Sequence, residues 1–239
     1  MRLLAITPPA SVAPRLDPAL VDAWIRGGAL ELGIAVVLRE PEAGLASTLE
    51  HPRFTELRLA LAERGIPTLV SVAGDELDRR GAEAVLAASP ALAGVQLRGD
   101  PSAALRRRVR EALGPVLIGR SCHGEAPDPA PDPAVDYTCL APIFAPKTQQ
   151  VGRPKQAIGL AALARWAALV PRVFALGGVE PGKATACLAA GATGLAGISL
   201  FFGQSAAAQQ NVAALRQAFD RFEVGSRPED HAPQARQRR

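Results

Sequence analysis

The sequence predicts one α/β domain folded as a TIM (β/α)8 barrel, and three observations support that fold class. Short apolar runs alternate with segments of helical period along most of the 239 residues, which is typical of parallel strands with helices outside. The runs number roughly eight, the number that closes such a barrel. The first run is followed by ITPPAS, which has prolines where a dinucleotide-binding turn needs glycines. A doubly wound open sheet remains the alternative, because periodicity alone does not separate the two folds.

The predicted strands are short and consist mainly of apolar or β-branched residues. They are LLAIT (3–7), IAVVLR (34–39), PTLVSV (67–72), AGVQL (93–97), VLIGRS (116–121), VDYTCLA (135–141), RVFALG (172–177) and TGLAGISL (193–200). Helical spacing occurs between them in LRLALAER (57–64), AEAVLAAS (82–89), AALRRRVREAL (103–113), LAALARWAALV (160–170) and KATACLAAG (183–191), the last ending at Gly191.

Residues 1–222 are predicted to form the barrel and residues 223–239 a disordered basic tail, because periodicity stops after Phe222. The Pro/Asp stretch 124-GEAPDPAPDPA-134 is interpreted as replacing a short helix between two strands rather than as a domain linker. The composition, with 48% hydrophobic and 21% charged residues, is that of a globular protein with a large core.

The formal net charge is +4, but half of it lies from Gly225 onward, and aromatic residues make up only 4% of the chain. The barrel region has no long Lys/Arg run, so we predict no binding to nucleic acid. No apolar segment approaches the length that crosses a bilayer, so no membrane association is expected. Three separated cysteines without a C-x-x-C pair, and an N-terminus unlike a signal peptide, predict a cytoplasmic protein. A homo-oligomer is possible, and the sequence leaves the oligomeric state open.

The stretch 174-FALGGVEPGKATACLAAGATGLAGISLFF-202 predicts an anion site. Gly177 and Gly178 follow one predicted strand, and Ile198 and Ser199 close the next. Glycines let backbone amides approach an anion closely, and the loops after the seventh and eighth strands of a TIM barrel commonly bind phosphate. The alternative is that these glycines only permit a tight turn. We therefore expect a small phosphorylated ligand there.

Several motifs, in order along the chain, resemble the thiamine phosphate synthase / thiazole tautomerase (TenI) family. They are AITPP, VVLREPE, GVQLRGDPS, IGRSCH, DYTCLAPIFAPKT, ALGGV and AGISLFF, and together they span roughly residues 1–220. The resemblance implies a TIM barrel and a ligand that is a phosphorylated thiazole or thiamine phosphate. It also adds Arg39, Ser121 and Thr148 to the predicted substrate site. An arginine at the carboxyl end of a strand can form paired hydrogen bonds with a carboxylate or phosphate, so Arg39 and Arg120 are both anion-binding candidates.

The family's synthase uses Mg²⁺, which needs carboxylate oxygens near the substrate phosphates. The resemblance places these ligands in an Asn-Asp pair ending strand three and in an Asp after strand four. This chain has Ser71-Val72 in the first place, and only Asp100 could serve in the second. Its residues around Arg39 and in the diphosphate loop, such as Pro41 and Gln149, also depart from the synthase pattern. We therefore expect no cofactor, with Mg²⁺ needed only if synthase activity survives.

The tautomerase branch is more similar, on the motifs GVQL and IGRS followed by x-His. Its proton transfer needs an acid/base of near-neutral pKa and no metal. The histidine expected in the sixth-strand motif is absent, because Ala141-Pro142 precedes Ile143-Phe144. His123 is then the candidate catalytic residue, since histidine ordinarily titrates near neutrality; alternatively, it only bonds a neighbouring loop.

Three functions stay open at this point. The chain could be a TenI-like tautomerase, a divergent synthase joining an aminopyrimidine diphosphate to a thiazole phosphate, or a non-catalytic regulator that binds the same ligand. Three further residue predictions accompany them. Cys122 and Cys139 are packing residues, Asp136 lies at the barrel end opposite the ligand, and three consecutive arginines form a solvated helix face (Arg106, Arg107 and Arg108).

Overall fold

The computed structural model describes residues 1–41, 43–74, 76–77, 85, 92–124, 132–145 and 156–225. Its eight strands pair in chain order and in parallel, and the last strand pairs with the first to close a barrel. The TIM-barrel prediction is therefore confirmed, and the open doubly wound sheet is excluded because such a sheet has two free edges. None of the helices in the described part of the chain combines the length and apolar character that a bilayer crossing requires.

All eight predicted strands are present, and their ends differ from the predictions by a few residues. They are β1 Leu3–Ile6, β2 Ile34–Leu38, β3 Thr68–Ala73, β4 Gly94–Arg98, β5 Leu117–Cys122, β6 Tyr137–Leu140, β7 Val173–Ala175 and β8 Gly194–Gly197. The largest difference is at β8, which stops at Gly197. Ser199, predicted to end this strand, lies instead in the turn that follows it.

Helices connect these strands on the outside of the barrel. They are α1 Ala19–Arg26, α2 Ala29–Leu32, α3 Leu45–Glu50, α4 Thr55–Glu63, α5 Ala103–Leu113, α6 Gly159–Leu169, α7 Ala184–Ala189 and α8 Ser205–Gly225, with 3-10 turns at Pro52–Phe54 and Pro181–Lys183. Most of the predicted helix 82–89 and of the stretch 124–134 lies outside the described residues. The predicted start of the tail, residue 223, falls within the last turn of α8, and residues 226–239 are not described.

Helix α5 begins at a local capping residue, and one of its arginines is buried by a residue distant in sequence. The Ser102 hydroxyl accepts a hydrogen bond from the Leu105 amide at 3.3 Å, an N-terminal cap. Arg106 is buried rather than solvated, because its guanidinium pairs with Asp132 and donates to the Pro101 carbonyl at 2.5 Å. The prediction of a solvated arginine face is therefore wrong for Arg106, whereas Arg107 and Arg108 are exposed as predicted.

Alternate residues of each strand point into the barrel or toward the helices. One apolar cluster fills the interior, and its strand members differ by two positions: Leu4, Ile6, Ala35, Val37, Leu69, Tyr137, Cys139, Phe174 and Ala196. Their strand neighbours belong to the outer clusters beneath the helices, such as Leu3, Ala5, Val70 and Val72. This alternation decides which side chain of each strand can face a ligand at the barrel mouth.

The amino-terminal end of the barrel is fixed by a charged pair. The Asp136 carboxylate accepts hydrogen bonds from Arg110 Nη2 and from the Ile118 amide, each at 2.7 Å. Arg110 also donates to the Val116 and Gly114 carbonyls, each at 2.8 Å. Asp136 therefore lies just before β6, at the end opposite the carboxyl ends of the strands, as predicted.

Trp24 of α1 anchors the turn after β8. It is fully buried, and its indole Nε1 donates to the Phe201 carbonyl at 2.8 Å. Its ring meets Phe201 and Phe202 edge-on, with centroids 6.2 and 5.4 Å apart. The turn that carries Ser199 is thus held by a helix early in the sequence.

Trp24→Phe should lower the free energy of unfolding by about 1–3 kcal/mol, because the buried Phe201 carbonyl loses its donor. Urea unfolding monitored by circular dichroism would measure this. Leu59→Ala, at a side chain that is 61% exposed, is the matched control and should change stability little. Equal effects of the two substitutions would show that Trp24 is not an anchor.

All three cysteines are buried, which confirms the packing interpretation of Cys122 and Cys139. Burial raises the pKa of the Cys139 thiol, and it raises the pKa of Cys187 to about 11. Because the thiolate is the reactive form, the native protein should resist iodoacetamide near pH 8. In urea all three thiols should be alkylated, as mass spectrometry would show. Rapid labelling of the native protein would contradict this packing.

Candidate functional site

The predicted site residues that the structure describes lie at the carboxyl end of the barrel. Arg39 follows β2, Ser121 is near the end of β5, and His123 comes directly after that strand. Gly177 and Gly178 follow β7, and Ile198 and Ser199 follow β8. In TIM barrels this end holds the ligand site. Thr148, the remaining predicted residue, lies outside the described residues.

Asp100 and His123 form a close pair at this end of the barrel. The His123 amide donates to Asp100 Oδ1, and His123 Nδ1 is bonded to Asp100 Oδ2, both at 2.9 Å. Asp100 adopts a left-handed backbone with φ 50°, directly after β4 and Gly99, and this turn brings its carboxylate to the neighbouring strand end. The pair is solvent-accessible, with side chains 39% and 54% exposed for His123 and Asp100. The sequence analysis considered both residues but did not place them together.

The pair leaves the second imidazole nitrogen available. His123 Nε2 makes no hydrogen bond to any residue in the described ranges. The segment carrying it is held from below, because Trp166 Nε1 of α6 donates to the Gly124 carbonyl at 3.1 Å. The arrangement can therefore present one ring nitrogen to a ligand while a carboxylate orients the other.

A polar layer lies beneath this pair, inside the barrel. Gln96 Nε2 donates to Ser121 Oγ at 3.1 Å. Gln96 Oε1 and the Tyr137 hydroxyl are buried without a hydrogen-bond partner within the described part of the chain. Gly119 makes room for both, since a Cβ there would lie 2.2 Å from Gln96 Oε1 and 2.5 Å from Tyr137 Oη. The sequence analysis missed Gln96 and Tyr137, although Gln96 interrupts the otherwise apolar strand GVQL.

Gly177 and Gly178 have the left-handed backbone that favours glycine, with φ 87° and 62°. A Cβ at Gly177 would lie 2.7 Å from Pro142 Cα, and one at Gly178 would lie 2.6 Å from the Ala145 carbonyl oxygen. The turn after β7 therefore needs both glycines to pack against the segment after β6. This supports the tight-turn alternative.

Several amides of the turns after β7 and β8 have no acceptor within the described residues: those of Gly177, Gly178, Val179, Ser199 and Leu200. By contrast, the Phe201 and Phe202 amides both donate to the Ile198 carbonyl, at 3.0 and 2.9 Å. A cation also lies nearby, because Lys183 Nζ is 3.2 Å from the Gly178 carbonyl oxygen. The sequence analysis missed Lys183. These donors are the groups from which an anion site can be built.

Arg39 is half-buried after β2, and its backbone is fixed to the loop after β1. Its amide donates to Thr7 Oγ1 at 2.8 Å, and that hydroxyl donates to the Arg39 carbonyl at 3.2 Å. Burial lowers the pKa of Arg39, and the positive charge of Arg98 lowers it further, whereas Glu40 raises it. Arg39 thus lies in a desolvated and electropositive part of the mouth.

Arg120 does not belong to the site. Its position on β5 has the outward parity of Ile118 and Cys122, and the residue is only 2% exposed. Nε donates to Thr138 Oγ1 at 3.0 Å, and the guanidinium lies 5.5 Å from the Trp166 ring centroid, under α6. The prediction that Arg120 binds an anion is therefore wrong.

The described residues do not provide the donor set that Mg²⁺ prefers. No group of three or more His, Cys, Asp or Glu side chains comes together in the described ranges. Val72 packs in the outer layer, so Ser71 and Ala73 are the mouth-facing residues at the end of β3. Asp100 already has both carboxylate oxygens engaged by His123.

The family model TMP-TENI, thiamine monophosphate synthase, matches residues 3–201. A thiamine-phosphate synthase from Laribacter hongkongensis is 40% identical over 94 residues, which is 38% of this chain and 43% of that protein. The match therefore spans less than half the length of this curated relative.

Solved structures share the fold at low sequence identity. The thiamine phosphate pyrophosphorylase from Pyrococcus furiosus has a TM-score of 0.62 and 20% identity, covering 92% of this chain and 96% of that one. Phosphoribosyl anthranilate isomerase from Thermotoga maritima has a TM-score of 0.58 and 11% identity, covering 92% and 98%. At these identities the likeness concerns the barrel architecture alone.

Proposed function

The chain belongs to the thiamine monophosphate synthase family, TMP-TENI, and we propose that it is a TenI-like thiazole tautomerase acting on a carboxythiazole phosphate. The observation that carries this proposal is the Asp100–His123 pair, with its 2.9 Å contact between Asp100 Oδ2 and His123 Nδ1. It supplies an oriented acid/base at the barrel mouth, and it engages the carboxylate that a synthase would use for its metal.

The proposed reaction moves a proton between two positions of one ring, so one group that accepts and returns a proton is sufficient. Asp100 Oδ2 accepts a hydrogen bond from the Nδ1–H tautomer of His123, which leaves Nε2 as the base. When Nε2 takes the ring proton, the imidazolium is stabilised by the adjacent carboxylate. The same nitrogen then returns a proton to the other position. In this scheme Asp100 positions His123 and does not itself contact the substrate.

The phosphate of the ligand is proposed to bind at the turns after β7 and β8. Support comes from five amides there without an acceptor in the described ranges, and from Lys183 beside Gly178. Oriented amides and an ammonium group stabilise a phosphate without any metal. Ser121, held by Gln96, would lie between this turn and His123, under the ring of the ligand.

A divergent thiamine phosphate synthase is the second candidate. It is favoured by the family description and by the name of the curated relative. The reaction would need charge stabilisation at a departing diphosphate, which the family's synthase takes from Mg²⁺. The residues at the ends of β3 and β4 supply this poorly, since Ser71 and Ala73 carry no carboxylate and Asp100 is engaged.

A non-catalytic regulator that binds the same ligand is the third candidate. It is favoured by Ala141-Pro142, which stands where the tautomerase motif of the sixth strand has a histidine. Both residues are buried. On this alternative His123 and Asp100 would only join the loops after β4 and β5.

Ser199→Asp should weaken thiazole phosphate binding by at least about tenfold, because a carboxylate beside the proposed phosphate site repels the ligand. Isothermal titration calorimetry would measure the change, with Ser199→Ala as the matched control. Ser199 is exposed, so either side chain fits without disturbing the barrel. Gly178→Asp is a poorer test, because its side chain would collide with Phe144 and Ala145. Unaltered affinity in Ser199→Asp would remove the phosphate assignment.

His123→Asn should slow isomerisation of carboxythiazole phosphate by at least about 10², the lower end of what a positioned acid/base contributes. Thiazole phosphate affinity should hardly change. Asp100→Asn should lower kcat in the same assay while leaving KM similar. His51→Asn, at a histidine between α3 and α4, is the control and should retain the wild-type rate.

The same assay separates the three candidates. Wild-type protein that binds the ligand but isomerises none of it above background would support the regulator. Magnesium-dependent formation of thiamine phosphate from aminopyrimidine diphosphate would support the synthase. A His123→Asn variant as fast as wild type would reduce the histidine to a structural role.

A further inference from the structure

We infer that Arg39 and Arg98 form a second anion site, which holds the ring carboxylate of the ligand. This inference rests on the proposed function for the identity of the ligand, but not for the existence of the site. It is supported by the positions of two guanidinium groups at the barrel mouth and by the hydrogen-bond and ion-pair partners of the acidic residues around them.

Arg39 is a half-buried cation without a close partner. Its side chain forms no hydrogen bond or ion pair within the described residues. By the alternation that directs Ala35 and Val37 inward, the position of Arg39 belongs to the inner face of β2. A desolvated guanidinium with open donors is suited to receive a carboxylate through paired hydrogen bonds.

Arg98 ends β4 with the inward parity of Gln96, and it brings a second positive charge close to Arg39. Its contacts within the described residues are loose. Nη1 is 3.5 Å from the Pro41 carbonyl oxygen, and Nη2 is 3.8 Å from Glu76 Oε2. Most of the five guanidinium donors are therefore still available. Pro41 comes two residues after Arg39, so this contact also places Arg98 beside the loop after β2.

Glu40 is engaged elsewhere, whereas Glu76 is shared between a backbone amide and Arg98. Glu40 Oε2 accepts from Arg53 Nη1 at 2.7 Å and from the Ala10 amide at 3.0 Å. Glu76 Oε1 accepts from the Leu45 amide at 3.0 Å. Glu76 Oε2 has no hydrogen-bond partner in the described structure and lies beside Arg98, so it partly balances that charge. Arg39 itself has no carboxylate partner within the described residues, and an anionic group of a ligand would supply one.

The location fits a ligand with two anionic groups. In a closed eight-stranded barrel β4 lies diametrically opposite β8, and β2 is two strands away from each of them. Arg98 is therefore across the mouth from the turn after β8, and Arg39 lies at the side of the mouth between the two. A carboxythiazole phosphate carries its carboxylate and its phosphate on different positions of the ring. One molecule can then contact both sites with its ring above Ser121 and Gln96.

Calorimetric titration with carboxythiazole phosphate and with thiazole phosphate, which lacks the carboxylate, tests the inference. Wild-type protein should prefer the carboxylated ligand by at least about tenfold, the factor that one charged hydrogen bond contributes. Arg98→Gln and Arg39→Gln should each lose that preference while binding thiazole phosphate as wild type does. Arg98→Lys should retain part of the preference, since lysine keeps the positive charge but lacks the paired N–H donors of a guanidinium. Arg107→Gln, at an exposed position of α5, is the control.

Equal affinity of wild type for both ligands, or equal weakening of both by Arg98→Gln, would overturn the second site while leaving the phosphate site in place. Binding of neither ligand would overturn the proposed function together with it. Inorganic pyrophosphate provides a further arm. Displacement of thiazole phosphate by pyrophosphate that depends on Arg98 would identify a diphosphate site instead of a carboxylate site. Thermal unfolding of each variant would show that a loss of binding is not a loss of fold.

Discussion

Closure of the sheet between β1 and β8 is the constraint on which the rest of the structure depends. Leu3 pairs with Ile34 on one side and with Leu195 on the other. Because no strand has a free edge, every strand obeys one inward–outward alternation around the barrel. The interior is filled by apolar side chains. Near the carboxyl ends, inward positions such as those of Gln96 and Ser121 add polar groups beneath the mouth.

This alternation explains both the successes and the failures of the sequence analysis. Strands were predicted well because apolar runs are a local signal. Whether a single side chain faces the barrel interior or the helices depends on its place in the alternation, and a shift of one position moves it to the other face. Ser121 faces the mouth while its neighbour Arg120 lies under a helix, a distinction that the run VLIGRS does not reveal. Arg106 was misjudged because its partner Asp132 comes from 26 residues away.

The candidate site was predicted in outline, since the predicted site residues within the described ranges do lie at the carboxyl ends of the strands. Its chemistry depends on a contact that the sequence does not show. Asp100 and His123 are 23 residues apart, and a left-handed turn brings them together. Considered separately, Asp100 is a metal-ligand candidate and His123 an acid/base candidate. Considered together, the contact favours the acid/base role of His123 and disfavours the metal role of Asp100, because a carboxylate that orients an imidazole is not free to hold a cation.

The charged residues at the mouth are also consistent with a reaction that uses no metal. A synthase needs stabilisation that increases as the diphosphate departs, and a metal bridging its oxygens provides that. On the proposed assignment, fixed arginines such as Arg39 and Arg98 would hold an anion equally before and during a proton transfer elsewhere on the ring. Such uniform binding lowers KM without raising kcat. On the proposed assignment, binding energy therefore comes from the arginines and the turn amides, and the acceleration from His123. On this assignment no charged group leaves the ring, so the isomerisation does not need the metal that a departing diphosphate requires.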